Sequence, residues 1–312
     1  MSRGILVVGE ALVDVVRAPD GSVREHPGGS PANVALGLAR LGRRVHLLTR
    51  TGDDPYGALL REHLRSAGVA LVGAAIDDAP TATATAVLDA AGAARYEFEL
   101  VWRLPSPGVP GGVSAGTVAV HTGSIAAYLE PGAGAVEAIL RELRGRSTIS
   151  YDPNVRPALV ADPPATRARI DGLVAASDVV KVSDEDLAWL VPGRAPERVA
   201  AEWLARGPSL VVVTRGGAGA FAVSRSGAVT VPGWAVTVVD TVGAGDAFTS
   251  GLLDALAAAD LLGRDREAAL RGIDPETLRR VIEHAVRVSA FVCARAGAQP
   301  PNRAELAAFD PR

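Results

Sequence analysis

The sequence predicts an α/β protein built on a doubly wound, mainly parallel sheet. Short apolar, β-branched runs alternate with stretches of helical period along most of the 312 residues. That alternation implies a parallel sheet with helices on both faces. Hydrophobic residues make up 48% of the chain and aromatics only 4%, so the core must be assembled from Ala, Val and Leu. One stretch, residues 71–104, breaks the rhythm and predicts an excursion from the main sheet.

Taken in order, "ILVVGEALVDVV" reads as one strand. In "PGGSPANVALGLARLG", Ser30 is placed to cap a helix, Pro31 suits its first turn, Val34, Leu38 and Leu41 fall at helical spacing, and Gly42 ends it. "RVHLLTRTG" is a strand. "DPYGALLREHLRSAG" is a helix with Leu59, Leu60 and Leu64 on one face and Gly68 at its end. "TATATAVLDAAGAARYEFEL" alternates on both sides of Gly92, the pattern of a hairpin, and "LPSPGVPGG" closes it. Strands then alternate with helices: "TVAVHTGS", "GAGAVEAILRELRG", "STISYDPN", "ATRARIDGLVAAS", "DVVKVS", "DEDLAWLV", "ERVAAEWLARG" and "SLVVVTRGGAGA". Two short strands flank Ser226–Gly227, and helices over 247–260, 275–294 and 303–308 finish the chain.

The bulk numbers exclude several classes. A formal net charge of −3, with no block of like charge, argues against a nucleic-acid or membrane-surface protein. A single cysteine, Cys293, excludes a disulfide framework and reads as a buried small hydrophobe. No run is long enough for a membrane span, and the expected location is cytoplasmic. The five histidines have no metal-ligand spacing. Lys181 is the only lysine and no P-loop string exists, so phosphate chemistry would have to rest on Arg, a metal ion and backbone amides.

"DTVGAGDAF", Asp240–Phe248, places two glycines and two acids before an apolar helix. The amides of Gly243, Ala244 and Gly245 can hold an anion at the helix start, and Asp246 can take a proton from an attacking hydroxyl. A plain helix cap explains the same letters equally well. A dinucleotide loop does not, because the G-x-G-x-x-G spacing is missing. In "HPGGSPANVALG", Gly28 and Gly29 allow close approach of a ligand and Asn33 suits sugar hydroxyls; Asp14 can accept from two hydroxyls. In "YDPNVRP", Asp152, Asn154 and Arg156 follow a strand, where sites in such sheets form. "TRGGAGA", Thr214–Ala220, is a turn over which a nucleotide can lie. Each of these three also reads as an ordinary turn.

Together these stretches resemble the ribokinase-like (PfkB) carbohydrate kinases, in the fructokinase-like branch. "PGGSPANVALGLARLG" resembles the family's N-terminal signature, "DTVGAGDAFTSGLL" its C-terminal one, and "RAGAQP", Arg295–Pro300, a further stretch. The resemblance covers nearly the whole chain and implies one ribokinase-like kinase domain over 1–312, with β-sheet lid segments near 13–27 and 80–104. It implies ATP-dependent phosphoryl transfer to a sugar hydroxyl, with fructose the first choice of acceptor and ketodeoxygluconate, ribose and a nucleoside the alternatives. A catalytically silent sugar- or nucleotide-binding protein is the non-enzyme alternative.

Asp246 takes the base position and Gly243, Ala244 and Gly245 the anion hole. Asp14, Gly28, Gly29 and Asn33 take the sugar positions, with Asp152, Asn154 and Arg156 beside them. Ser183, Thr214, Gly216, Gly219 and Val286 fall to the nucleotide. Mg²⁺ is the expected cofactor, held through water by Glu185 or Asp186. Here Ser183-Asp184-Glu185-Asp186 replaces the family's N-x-x-E string. Asp240 and Val242 match positions that take a monovalent cation such as K⁺. Lid side chains such as Tyr96, Phe98 and Trp102 are the candidates for selecting the sugar, and the lid the candidate surface for a homodimer.

Overall fold

The computed structural model describes residues 3–73, 76–89, 94–104 and 108–310, without the side chains of residues 94 and 96. The predicted turn at Gly92 lies outside these residues, as does part of the closing Pro/Gly stretch.

The chain opens with β1 (Gly4–Val8), then β2 (Leu12–Arg17) and β3 (Val23–Gly28), and enters α1 (Ser30–Arg40). It continues through β4 (Val45–Leu48), β5 (Thr51–Gly52), α2 (Pro55–Ser66), β6 (Ala70–Val72), β7 (Ile76–Asp77), β8 (Thr83–Leu88) and β9 (Ala94–Glu99). A short α3 (Gly111–Ser114) leads to β10 (Thr117–Gly123), α4 (Gly132–Leu143), β11 (Thr148–Asp152), α5 (Pro163–Ala176), β12 (Val179–Ser183), α6 (Asp184–Leu190) and α7 (Pro196–Arg206). Then come β13 (Leu210–Thr214), β14 (Ala220–Ser224), β15 (Gly227–Val231), α8 (Ala244–Ala258), α9 (Glu267–Arg271), α10 (Pro275–Cys293) and α11 (Arg303–Ala308).

The main sheet runs β15-β14-β13-β12-β11-β10-β1-β4-β6. Every pairing from β13 to β6 is parallel; only the β13-β14 and β14-β15 pairings are antiparallel. Strand side chains alternate between two apolar layers. Ile5 and Val7 of β1 face α1, α2, α8 and α10, while Leu6 and Val8 face α4, α5, α6 and α7. Both faces are covered, which is why "GILVV" is apolar throughout. Each fully buried Leu or Val in these layers contributes about 1.5–3 kcal/mol. α8 is the central helix: Leu252, Leu253 and Leu256 are fully enclosed, and truncating one to Ala would cost about 2–5 kcal/mol.

A second, small sheet stands apart, in the order β3-β2-β8-β9. It contains the hairpin read from "TATATA". β2 and β8 pair in parallel and its outer pairings are antiparallel. Here the structure corrects the first strand: "ILVVGEALVDVV" is two strands in two different sheets, parted at Gly9–Ala11.

Three further readings are revised. Gly29, not Ser30, caps α1, and the Ser30 hydroxyl is engaged elsewhere. Leu59 of α2 is exposed while Leu60 and Leu64 are buried. Cys293 is half-buried rather than enclosed. Among the described residues no helix is long and apolar enough to cross a membrane.

Candidate active site

The order of the parallel strands reverses between β1 and β10, and sites in such sheets form beyond the strand ends at that switch. Gly9–Glu10, Ser124, Asp152–Arg156 and Ser183 all follow carboxyl ends of neighbouring strands there. α8 points its N-terminus at the same place.

The turn before α8 is shaped by Gly243, whose φ of 75° is left-handed, and a Cβ there would stand 2.5 Å from the Ala298 Cβ. Among the described residues the amides of Gly243, Gly245 and Asp246 have no acceptor, whereas the Ala244 amide donates to Thr241 O at 3.1 Å. Of the three amides expected to hold an anion, that of Ala244 is engaged, while the Asp246 amide is unspent beside those of Gly243 and Gly245. Free amides at a helix start attract anions.

Asp246 itself is buried, 7% exposed. Ser30 Oγ donates to its Oδ1 at 2.7 Å and Asn33 Nδ2 to its Oδ2 at 2.9 Å. Burial raises its pKa above the ordinary aspartate value, opposed by those two hydrogen bonds and by the charges of Lys181 and Arg156. Asn33 and Ser30 thus hold the carboxylate; Asn33 was expected to meet a sugar.

Asp14, on β2, is half-buried, and its carboxylate has no hydrogen-bond partner among the described residues. Burial lifts its pKa to about 6, against the pull of Arg156, so it is ionised at neutral pH. A Cβ on Gly28 would stand 2.2 Å from Asp14 Oδ2, and one on Gly29, where φ is 98°, 2.7 Å from Glu10 O. The two glycines let β3 pass close under Asp14 and the β1–β2 turn. Asn154, at a left-handed φ of 37°, donates through Nδ2 to Ser30 Oγ at 2.9 Å and accepts from Arg156 at 2.6 Å. Arg156 is exposed and lowers the pKa of Asp14 and Asp246.

Asp152 is not in the open part of the site. It is 1% exposed, beneath the turn, and accepts from Lys181 Nζ at 2.9 Å. Lys181 was passed over in the sequence, as was Glu10. Glu10 is fully enclosed, accepts from the Ala126 amide at 3.2 Å, and burial raises it to about 8. Neither sits in a recognisable local motif.

The remaining candidates lie along the β12–β13 ends. Ser183 caps α6: its hydroxyl accepts from the Asp186 amide at 2.9 Å and donates to Asp186 Oδ2 at 2.6 Å. Asp186 Oδ1 accepts from the Val155 amide at 2.7 Å, so both Asp186 oxygens are spent on structure. Glu185 is exposed and its carboxylate has no partner among the described residues. Thr214 ends β13 and leads into the turn at Gly216 and Gly219. Gly216 faces open space, whereas Gly219 is required by β15, since a Cβ there would meet Val231 O at 2.1 Å. Val286 is 5% exposed and belongs to the core. Trp102, expected to face the sugar, is buried and donates to Ala126 O at 3.1 Å. Asp240 Oδ1 accepts from the Val242 amide and Oδ2 from the Gly297 amide, which keep its pKa low despite some burial. Val242 is exposed. No cluster of three or more His, Cys, Asp or Glu occurs among the described residues.

The family model for pfkB family carbohydrate kinases matches residues 2–305. The chain is 36% identical to a fructokinase of Rhizobium leguminosarum bv. trifolii over 88% of both chains. It is 32% identical to a fructokinase of Escherichia coli over 98% of this chain and 99% of that one. A fructokinase from Xylella fastidiosa with bound ATP superposes with a TM-score of 0.86 at 27% identity, covering 98% of both chains. A fructokinase double mutant from Vibrio cholerae O395, bound to fructose, ADP and potassium, superposes at 0.77 and 28% identity, covering 99% of this chain and 98% of that one. With its switch-point site, its free amides at the head of α8 and its buried Asp246, the chain belongs to the pfkB family of carbohydrate kinases.

Proposed function

We propose that the chain is a fructokinase, transferring the γ-phosphoryl group of ATP to O6 of fructose. One observation carries the reading: a buried carboxylate, Asp246, stands at the head of a helix beside three unspent amides, across from the unpartnered carboxylate of Asp14. Asp14 accepts from sugar hydroxyls and orients the acceptor. Asp246 takes the O6 proton as O6 bonds to the γ-phosphorus and the bond to ADP breaks. The amides of Gly243, Gly245 and Asp246 hold the charge on the transferred group, and Arg156 faces it from the β11 end. Asn33, Ser30 and Asn154 fix the base, while Gly216 and Thr214 offer an open turn to the nucleotide.

Fructose is favoured by the relatives' activities and by charge. Asp14 and Asp246 face each other in a site with one facing guanidinium, Arg156. That balance suits a neutral polyol over an anionic acceptor such as ketodeoxygluconate.

Mg²⁺ bound through water fits Glu185, which is exposed and unpaired among the described residues, and does not fit Asp186, whose oxygens are occupied. It would neutralise phosphate charge. K⁺ fits beside Asp240, which stays ionised next to the anion turn. The small sheet acts as a lid over the sugar, and its open β3 edge, with Val23 51% exposed, supports pairing of two copies there. Use of ATP supports a cytoplasmic location.

The test is coupled ADP release with fructose, ketodeoxygluconate, ribose and a nucleoside, in the parent and in Asp246→Asn. Turnover on fructose that falls by about 10²–10⁴-fold in the variant supports the reading. Turnover only on another acceptor replaces fructose. No turnover on any acceptor, in folded protein, removes the kinase reading.

A further inference from the structure

We propose that Lys181 is a positioning residue for phosphoryl transfer, a buried cation that stands beneath the Gly243–Asp246 turn and keeps Asp246 in its charged form. The inference rests on the kinase reading above and deepens it.

The sheet face toward α8 is largely apolar, and its polar residues gather below the turn. There β10, β11 and β12 present His121, Ser150, Asp152 and Lys181 in place of aliphatic side chains. Lys181 is 4% exposed and Asp152 1%. Their ion pair spans 2.9 Å. A buried pair of this kind is often no more stable than a packed apolar pair, so stability alone is a weak reason to place one here. The pair is also incompletely used. Among the described residues Lys181 makes one hydrogen bond, to Asp152 Oδ2, and Asp152 Oδ1 has no partner.

The position of the ammonium points to a purpose. Lys181 Nζ lies 3.2 Å from the point where a Cβ on Gly245 would stand, directly behind the anion turn. Thr249 Oγ1 joins the two levels, donating to Gly245 O at 3.1 Å, with Asp152 Oδ2 at 3.5 Å. The chain has one lysine against thirty-one arginines. The compact ammonium fits under a glycine turn where a planar guanidinium would need a wider slot.

The charges around it fix the direction of its effect. Asp152 on β11, Asp186 on α6 and Asp246 on α8 all face Lys181. Burial pulls its pKa down, these three carboxylates outweigh that, and it stands above the ordinary lysine value. His121 on β10 is pushed down to about 3 by burial and by Lys181, so it adds no charge at neutral pH. Asp246 in turn faces Ser30 and Asn33 on α1, Arg156 after β11, and Asp14 on β2. Lys181 is therefore the enclosed cation that offsets the cost of an ionised base in a dry site, while Arg156 is exposed to water and screened.

The test compares the pH profile of kcat/KM for the parent, Lys181→Met and Asp152→Asn, with thermal melts of each. Loss of the ammonium moves the acidic limb up by about one pH unit and lowers kcat about tenfold or more at neutral pH, with KM little changed. Loss of the Asp152 charge moves the same limb down. Opposite displacements are a signature that a merely structural ion pair does not give. If the melts fall while both limbs stay on the parent's, or move the same way, the inference is overturned. Should Lys181→Met fail to fold, Asp152→Asn and the double variant Lys181→Met/Asp152→Asn carry the test. A limb lowered in Asp152→Asn and returned toward the parent's in the double variant supports the inference, and a double variant whose limb matches that of Asp152→Asn overturns it. A parent that turns over no acceptor removes the kinase reading itself; an active parent with unmoved limbs removes only the role of Lys181.

Discussion

Ser30 Oγ donates to Asp246 Oδ1 at 2.7 Å across a separation of 216 residues. Through this bond the glycine-rich entry to α1 and the glycine-rich entry to α8 form one site. Ser30 also accepts from Asn154, so its single proton is committed to the carboxylate. The bond stabilises the ionised form, and removing it raises the Asp246 pKa. In Ser30→Ala the acidic limb of the kcat/KM profile should move to higher pH by roughly one unit, equivalent to about 1.4 kcal/mol. An unmoved limb would show that Asn33 alone holds the base.

Much of the fold was legible because its signals are local. Val-rich runs of strand length, glycine stops and helical spacing lie within single elements. What was misread depends on distance in the chain. "ILVVGEALVDVV" reads as one strand because apolar residues flank Gly9–Glu10; only packing sends its halves to different sheets. Ser30 reads as a cap because Pro31 follows it, but its hydroxyl is drawn to Asp246. The Ser183–Asp186 pair has the spacing of a capping box, and that local signal was available. Lys181 had no such signal. A lone lysine in an apolar strand shows its purpose only when Asp152 and the α8 turn are brought against it.

Gly243 has no tolerance for a side chain. At φ 75° an alanine is strained, and its Cβ would sit 2.5 Å from the Ala298 Cβ. Either the turn or the Ala298 backbone must move, and the turn carries the free amides. Gly243→Ala should lower stability by about 1–3 kcal/mol and raise KM for ATP more than KM for the sugar. Thermal melts and initial rates against each substrate test this. A melt that falls with both KM values unchanged would mean the turn is structural only.

Asp254, far along α8 from the site, joins several elements. It is 1% exposed and meets Arg43 at 2.6 Å, Arg303 at 2.7 Å and His284 at 2.9 Å. Burial opposes ionisation, but these partners hold its pKa below the ordinary value. A depressed carboxylate contributes stability that is present above its unfolded pKa and lost as pH falls through its folded one. Asp254→Asn should cost about 2–4 kcal/mol at neutral pH, with water around Arg43 and Arg303 keeping it from the upper end. The gap between parent and variant should close below the ordinary aspartate pKa of 3.8. Melts recorded from pH 7 downward would show it; a gap that does not depend on pH would contradict the ion-pair account.

Arg50 ties the base of the small sheet's hairpin to the main sheet. It is 2% exposed, and its guanidinium donates to Pro80 O at 2.9 Å, to Val101 O at 3.0 Å, to Ala79 O, and to Asp77 at 3.0 Å. Pro80 and Val101 lie just before β8 and just after β9, so one side chain holds both ends of the hairpin. If the small sheet closes over the sugar, this clamp sets its closed position and the exclusion of water. Arg103 also pairs with Asp77, at 2.8 Å, so an Arg50 variant leaves Asp77 a partner and the loss of stability is limited. Arg50→Met should therefore reduce kcat/KM for the sugar by about tenfold, a loss of about 1.4 kcal/mol. It should also raise ATP hydrolysis in the absence of sugar relative to transfer. Both are read from ADP release with and without fructose. A variant that loses stability but keeps the parent's ratio of hydrolysis to transfer would show that the clamp supports the fold without governing closure.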